Sequence, residues 1–303
     1  MHLTFQESDI PLAVIKGGKY DGDVLFVSNK ADDPGGKKKP QGHVDYTPFL
    51  KGYSARERTH ISARLNKAFL FDREPEADIA GIYNQVKSGT DLDKKLELDD
   101  GGTIHPLPDP KTRSIIYCFG ASGSGKSTFV TNYVKEWKKM FPKQKVYVFS
   151  RLADDPSLDS LKPKRVMIDD TLGDDKLSAA DFKDSFVIFD DVDSLPKNHK
   201  AMVNEILDDI LQTGRHFNVY CAVTSHLGSD YRATRQILNE THGICMFPQG
   251  SSPKAIKYIL ETYGGLDSNE VKAIMRLPSR WVYLKKNYPM AVLYNSGAYL
   301  LRA

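Results

Sequence analysis

The sequence predicts an α/β fold: a mainly parallel sheet flanked by helices, with a smaller N-terminal α+β region and a C-terminal β-hairpin. Three observations carry this reading. From residue 113 onward, short and uniformly apolar runs alternate with helical periodicity, and strands apolar on both faces belong to parallel sheets covered on both sides. A glycine-rich segment, Gly120–Thr128, lies directly between one such run and a helix. A second run, Phe186–Phe189, ends in two adjacent acids, Asp190 and Asp191.

The chain has 303 residues, 40% apolar and 27% charged, which suits one large or two modest globular domains and excludes a disordered or fibrous chain. A composition change near residue 110 divides it into an N-terminal accessory region, 1–110, of unassigned role and a main domain, 111–303. No stretch approaches the roughly 20 apolar residues of a membrane span, so no membrane partner is expected. The N-terminal residues show no signal-peptide pattern. Cys118, Cys221 and Cys245 stand far apart in apolar segments, as buried reduced thiols of an intracellular protein do. Charge is uneven: residues 213–303 carry a net +6 and the preceding residues a net −3, which points to a polyanionic partner for the C-terminal third.

The elements follow in order. Leu12–Ile15 and Val24–Val27 read as strands around a glycine-containing turn. Residues 32–42, rich in Gly, Pro and Lys, read as a loop. Pro75 at a helix start precedes Ile79, Ile82, Tyr83 and Val86 at one-face spacing. Residues 88–112 read as a connector with one short strand. Strands are then expected at Ser114–Phe119, Lys145–Phe149, Ser185–Phe189, Asn218–Thr224 and Gly243–Phe247, with helices at Ser127–Met140 and Ala201–Leu211. Two short helices follow, with Ser252 and Ser268 as caps. A hairpin of Trp281–Leu284 and Met290–Tyr294 comes next, and residues 297–303 supply an edge strand.

Gly120-Ala121-Ser122-Gly123-Ser124-Gly125-Lys126-Ser127-Thr128 matches the phosphate-binding loop G-x-x-x-x-G-K-[ST] in its required context, and so predicts a P-loop NTPase binding ATP and Mg²⁺. Glycines allow backbone N–H groups to converge on phosphate oxygens, and the following helix N-terminus adds partial positive charge. Lys126 reaches the β- and γ-phosphates, and the Ser127 hydroxyl coordinates the cation. Asp190, ending an apolar strand, supplies the carboxylate that a hard cation prefers. Asp191 is then placed to orient or deprotonate the attacking water. Two adjacent acids favour a hydrolysing, motor-type ATPase over a nucleoside kinase.

The strand Asn218–Thr224 runs into Ser225 and His226. Ligands of open parallel sheets gather at such strand ends, so His226, or Ser225, is a candidate γ-phosphate sensor. Arg215, Arg232 and Arg235 are candidates for a cation acting on the transferred phosphoryl group from a neighbouring subunit.

The succession strand–GASGSGKST–helix, FVIFDDVD and GRHFNVYCAVTSH resembles the poxvirus-type genome-packaging ATPases of nucleocytoplasmic large DNA viruses, in the FtsK–HerA superfamily. The resemblance covers residues 113–250 and selects Arg235 as the arginine acting in trans. The family commonly carries Gln at the sensor position, where this chain has His226. What the resemblance implies is an Mg-dependent ATPase that translocates double-stranded DNA into a capsid. It works as a ring-shaped homo-oligomer meeting capsid or portal-vertex proteins, in a cytoplasmic virus factory or the virion. The alternative is a non-translocating P-loop NTPase acting as a nucleotide switch or virion-associated regulator. If the chain grips DNA, contacts are expected on phosphates, with Lys285 and Lys286 of the hairpin turn as carriers.

Overall fold

The computed structural model describes residues 1–28, 46, 50, 52–70, 75–83, 94–173, 176–228 and 234–302. The lysine-rich segment 32–42, Val86 and Arg232 lie outside these.

Ten strands form the main sheet, in the order β4-β14-β13-β12-β11-β6-β10-β9-β7-β8. Six of them run parallel: β11 (Gly243–Met246), β6 (Ile115–Phe119), β10 (Val219–Ser225), β9 (Ser185–Phe189), β7 (Lys145–Ser150) and β8 (Lys164–Met167). The other four, β12 (Val282–Lys285), β13 (Met290–Tyr294), β14 (Gly297–Arg302) and β4 (Lys95–Glu97), are antiparallel. Alternation along β6 shows why the central strands are apolar throughout. Ile115, Tyr117 and Phe119 enter the core on one face, and Ile116 and Cys118 enter the core on the other.

Helix α1 spans Ala55–Leu70, α2 Lys126–Met140 and α3 Pro156–Asp159. Then come α4 (Lys197–Thr213), α5 (Arg235–Glu240), α6 (Pro253–Thr262) and α7 (Ser268–Met275). One sheet face is covered by α4 to α7, whose Ile206, Ile210, Leu238, Ile259 and Ile274 join the same core as Phe189 and Val223. The other face is covered by α2, with Val130, Val134 and Trp137 fully buried.

A second, four-stranded antiparallel sheet, β1-β3-β2-β5, lies over α2. Its strands are β1 (His2–Thr4), β2 (Ile10–Lys16), β3 (Val24–Ser28) and β5 (Thr103–Pro106). Leu12, Ile15, Leu25 and Ile104 share one core with Val130 and Trp137. Glu136 of α2, itself buried, is paired with Lys139 at 2.8 Å and with Lys16 of β2 at 3.5 Å. A strand and a shared core thus cross the division near residue 110.

The structure corrects several sequence expectations. The C-terminal strand β14 is not an edge: β4, from the supposed connector, pairs outside it. That connector supplies two strands, β4 and β5, one to each sheet. Strand β8 went unread because its sequence, Lys-Arg-Val-Met, has no apolar run and it pairs on one side only. Helix α1 went unread because it is strongly polar and buries only a small satellite cluster around Ile61, Leu65 and Tyr83. The cap of α7 is Asp267, one residue before Ser268. Its carboxylate accepts the Asn269 and Glu270 N–H groups in a reciprocal capping box. Ser252 precedes α6 without a side-chain cap bond.

Candidate functional site

Registers set the site. Ser225 pairs with Phe119, and Phe189 pairs with Val223. The loops after β6, β9 and β10 therefore open along one sheet edge at neighbouring positions, where ligands of parallel sheets bind.

The loop after β6 is shaped for phosphate. Gly123 and Gly125 have φ of 73° and 113°, in the region that favours glycine. A Cβ on Gly120 would lie 2.8 Å from Ser124 Oγ and 2.9 Å from the Phe247 ring, so close approach excludes a side chain there. The Gly120 N–H donates to the Ser225 carbonyl, tying the loop to β10. Ser124 Oγ is buried with no hydrogen-bond partner among the described residues, a polar atom left for a ligand to satisfy. Ser127 is half-buried on the first turn of α2, and Ala121, Ser122 and Thr128 are exposed.

Lys126 is buried, only 6% exposed. Its Nζ donates to the carbonyl of Gly120 at 3.0 Å and lies 3.2 Å from His226 Nδ1 and 3.5 Å from Asp191 Oδ1. His226 Nε2 stands 3.1 Å from Asp191 Oδ2, so the imidazole bridges the loop lysine and the second acid. Of the two sensor candidates, His226 reaches the site. The Ser225 hydroxyl donates instead to the Leu227 carbonyl at 2.8 Å.

Asp190 is buried, and its carboxyl is pushed up to about 6 by burial and then by the charge of Asp191. The Thr224 hydroxyl donates to Asp190 Oδ1 at 2.9 Å and accepts the Asp191 N–H at 2.8 Å, joining both acids to β10. Asp191 has φ of 49°, an uncommon conformation for a residue with a side chain, which turns its carboxylate toward Lys126. The Asp190 carboxyl, disfavoured as an anion by its surroundings, and the Ser127 hydroxyl are oxygen donors of the kind Mg²⁺ takes, while the Asp191 carboxylate faces Lys126 and His226. Among the described residues, this site included, no group of three or more His, Cys, Asp or Glu is placed to hold a metal by itself.

Sequence reasoning missed Arg280. It leads into β12 and donates to the carbonyls of Ser124 at 2.7 Å and Gly123 at 2.9 Å, gripping the outer side of the phosphate loop. Trp281 beside it packs edge-on against Phe129 of α2 at 5.1 Å. Together with Thr128, Asn132 and Phe247 they line a cavity of about 300 Å³ next to the loop, whose aromatic walls are interspersed with polar side chains such as Thr103, His105 and Asn295. Nothing local marks Arg280, because its partners lie over 150 residues upstream.

The arginine candidates stand apart from this cluster. Arg235 opens α5, exposed, and makes no hydrogen bond or ion pair with Lys126, Asp190 or Asp191. Arg215 is exposed in a 3-10 turn after α4. The hairpin lysines are not free, against expectation. Lys285 Nζ donates to the carbonyls of Asn287 and Pro289, and Lys286 Nζ to the carbonyl of Leu238. Burial depresses both, Lys285 to about 8. The three cysteines are free and buried. No helix among the described residues is long and apolar enough to cross a membrane.

No family model matches the chain. Among solved structures it is similar to the DNA-packaging ATPase B204 of Sulfolobus turreted icosahedral virus, at 15% identity over 60% of this chain and 97% of that one, with a TM-score of 0.44. It is also similar to the cytoplasmic domain of the type VII secretion ATPase EccC of Thermomonospora curvata, at 13% identity over 67% and 28%, with a TM-score of 0.46. Among curated proteins, protein V3 of the Sputnik virophage, itself uncharacterised, is 41% identical over 235 residues, 75% of this chain and 95% of that protein. At that identity and coverage, the chain belongs to the family of virophage protein V3, and its fold is mixed α/β, with a mainly parallel sheet flanked by helices.

Proposed function

We propose that the protein is an Mg-dependent ATPase motor that moves double-stranded viral DNA into a capsid. The observation that carries the ATPase reading is the meeting of Lys126, Asp191 and His226 beside Asp190, at the carboxyl ends of three adjacent strands. Asp190 and Ser127 would hold Mg²⁺, which when bound neutralises charge on the phosphate oxygens. Lys126, released from the Gly120 carbonyl, takes the β/γ-phosphate charge, while loop N–H groups and Ser124 Oγ satisfy the remaining oxygens. Asp191 accepts a hydrogen bond or proton from the attacking water. His226, in contact with both Lys126 and Asp191, registers whether the γ-phosphate is present. The cavity walled by Trp281, Phe129 and Phe247 takes the nucleoside.

The DNA half of the proposal rests on the sequence resemblance of residues 113–250, on the viral relative, and on the basic C-terminal third. In this reading the active form is a ring of identical subunits, with Arg235 acting across the interface. It meets capsid or portal-vertex proteins in the virus factory or the virion. The test is ATP turnover with and without duplex DNA, on a sample whose oligomeric state is measured in parallel. DNA-stimulated turnover by a ring supports the motor. Turnover indifferent to DNA leaves a nucleotide switch instead.

A further inference from the structure

In the sequence Asp193 reads as one more acid in an acidic loop. Its surroundings say otherwise. Asp191 turns the chain into a 3-10 turn, Val192–Ser194, closed by Ser194 N–H and Oγ donating to the Asp191 carbonyl. That turn swings the Asp193 side chain back across the sheet edge to the loop after β10. There Oδ2 accepts the N–H of His226 and the N–H of Leu227, each at 2.9 Å. Asp193 Oδ1 is buried with no hydrogen-bond partner among the described residues. One carboxylate oxygen thus ties the two loops together while the other is left unpaired inside the protein, at a cost that an acid standing in solvent would not bear.

The geometry explains it as a brace. The same turn carries Asp191, whose carboxylate meets the His226 ring, while Asp193 holds the His226 main chain. The imidazole sits between Lys126 at 3.2 Å and Asp191 at 3.1 Å only while its backbone is fixed. The far side of the loop is anchored independently, by Tyr117 Oη donating to the Leu227 carbonyl at 2.8 Å. We propose that Asp193 is a positioning residue: it couples the turn after β9 to the loop after β10, so that Asp191 and His226 move as one unit when a nucleotide enters. The proposal rests on the ATPase reading for its effect on turnover, but not for the brace itself.

Two measurements on the full chain test it. In the first, ATP turnover is compared for Asp193→Ala, Asp193→Asn, His226→Ala and the Asp193→Ala/His226→Ala pair. Asp193→Ala is expected to lower kcat by about ten- to a hundredfold with KM little changed, the scale of a misplaced group. Asp193→Asn keeps an oxygen that can accept both N–H groups and is expected to stay within about threefold of wild type. In the His226→Ala background, adding Asp193→Ala is expected to cost less than about twofold, since its effect passes through the ring. Independent, multiplying losses would overturn the proposal.

The second measurement is amide hydrogen exchange. The His226 N–H is the clean reporter, because the Leu227 N–H also has Ser225 Oγ within 3.2 Å. Asp193→Ala is expected to speed exchange at His226 at least tenfold while β10 amides stay protected. Unchanged protection at His226 would remove the brace. A chain that hydrolyses no nucleotide but shows the exchange effect would keep the brace and remove the ATPase reading.

Discussion

The Lys126 ammonium stands 3.5 Å from Oδ1 of Asp191, so the cation of the phosphate loop and the second acid of the neighbouring strand are already paired across the site. With 7% and 35% of their side chains exposed, the two are partly withdrawn from solvent. In the proposed reading, a triphosphate separates them to reach the lysine.

Lys126→Ala is therefore expected to lower ATP hydrolysis by about 10²–10³-fold, the usual loss on removing one electrostatic contact to the reacting centre. Phosphate release measured at saturating ATP checks it. Near-normal turnover would remove the phosphate-loop assignment.

Asp191→Asn and Asp190→Asn should part company. The first is expected to bind Mg·ATP about as well as wild type and lose turnover, because Asp191 faces Lys126 and the place of the water. The second is expected to weaken binding only when Mg²⁺ is present, because Asp190 offers its oxygens to the cation. Calorimetric titration with and without Mg²⁺, beside turnover, distinguishes them; identical behaviour would contradict this division of roles.

Asp190 also carries a pH dependence. Its carboxyl is raised from 3.8 to about 6 in the folded chain. The contribution of such a group is fully present below the unfolded value and is lost as pH rises through the folded one, between about pH 4 and 6. A displacement of that size corresponds to about 3 kcal/mol. Without nucleotide, Asp190→Asn is expected to melt above wild type at pH 7.5 and to lose that advantage near pH 4. Thermal melts across this range check it; an advantage independent of pH would contradict it.

Arg280→Ala is expected to weaken ATP binding by about tenfold, the scale of one charge-assisted hydrogen bond in a partly exposed setting. Arg280→Lys should not restore it, since an ammonium lacks the planar fork that spans two carbonyls. A fluorescent-nucleotide titration of both variants reads this directly, and full rescue by lysine would argue for charge alone.

Lys285→Gln with Lys286→Gln is expected to leave the salt dependence of DNA binding unchanged, because both ammonium groups are spent on backbone carbonyls. A phosphate contact would instead contribute about −0.9 to the slope of log affinity against log salt. Binding isotherms from low to moderate salt decide it, and a slope reduced by about two would return these lysines to the DNA path.

The sequence by itself determined the central strands β6, β9 and β10, the helix α2, the phosphate loop and the acid pair. All of these are local patterns: apolar runs bounded by turn residues, glycines at fixed spacing, and carboxylates at a strand end. It also named His226 at the end of β10 as the sensor candidate, with Ser225 as the alternative. The structure sets the His226 ring against Lys126 and Asp191 and returns Ser225 Oγ to the Leu227 carbonyl. It alone disclosed Arg280 on the phosphate loop, Asp193 beneath His226, and β4 as the edge of the main sheet. It alone tied the Lys285 and Lys286 ammonium groups to backbone carbonyls. The physical reason is common to Arg280, Asp193, β4 and Lys286. Each depends on a contact between segments from about 30 to about 200 residues apart, set by strand order and register, and no periodicity within either segment carries that information.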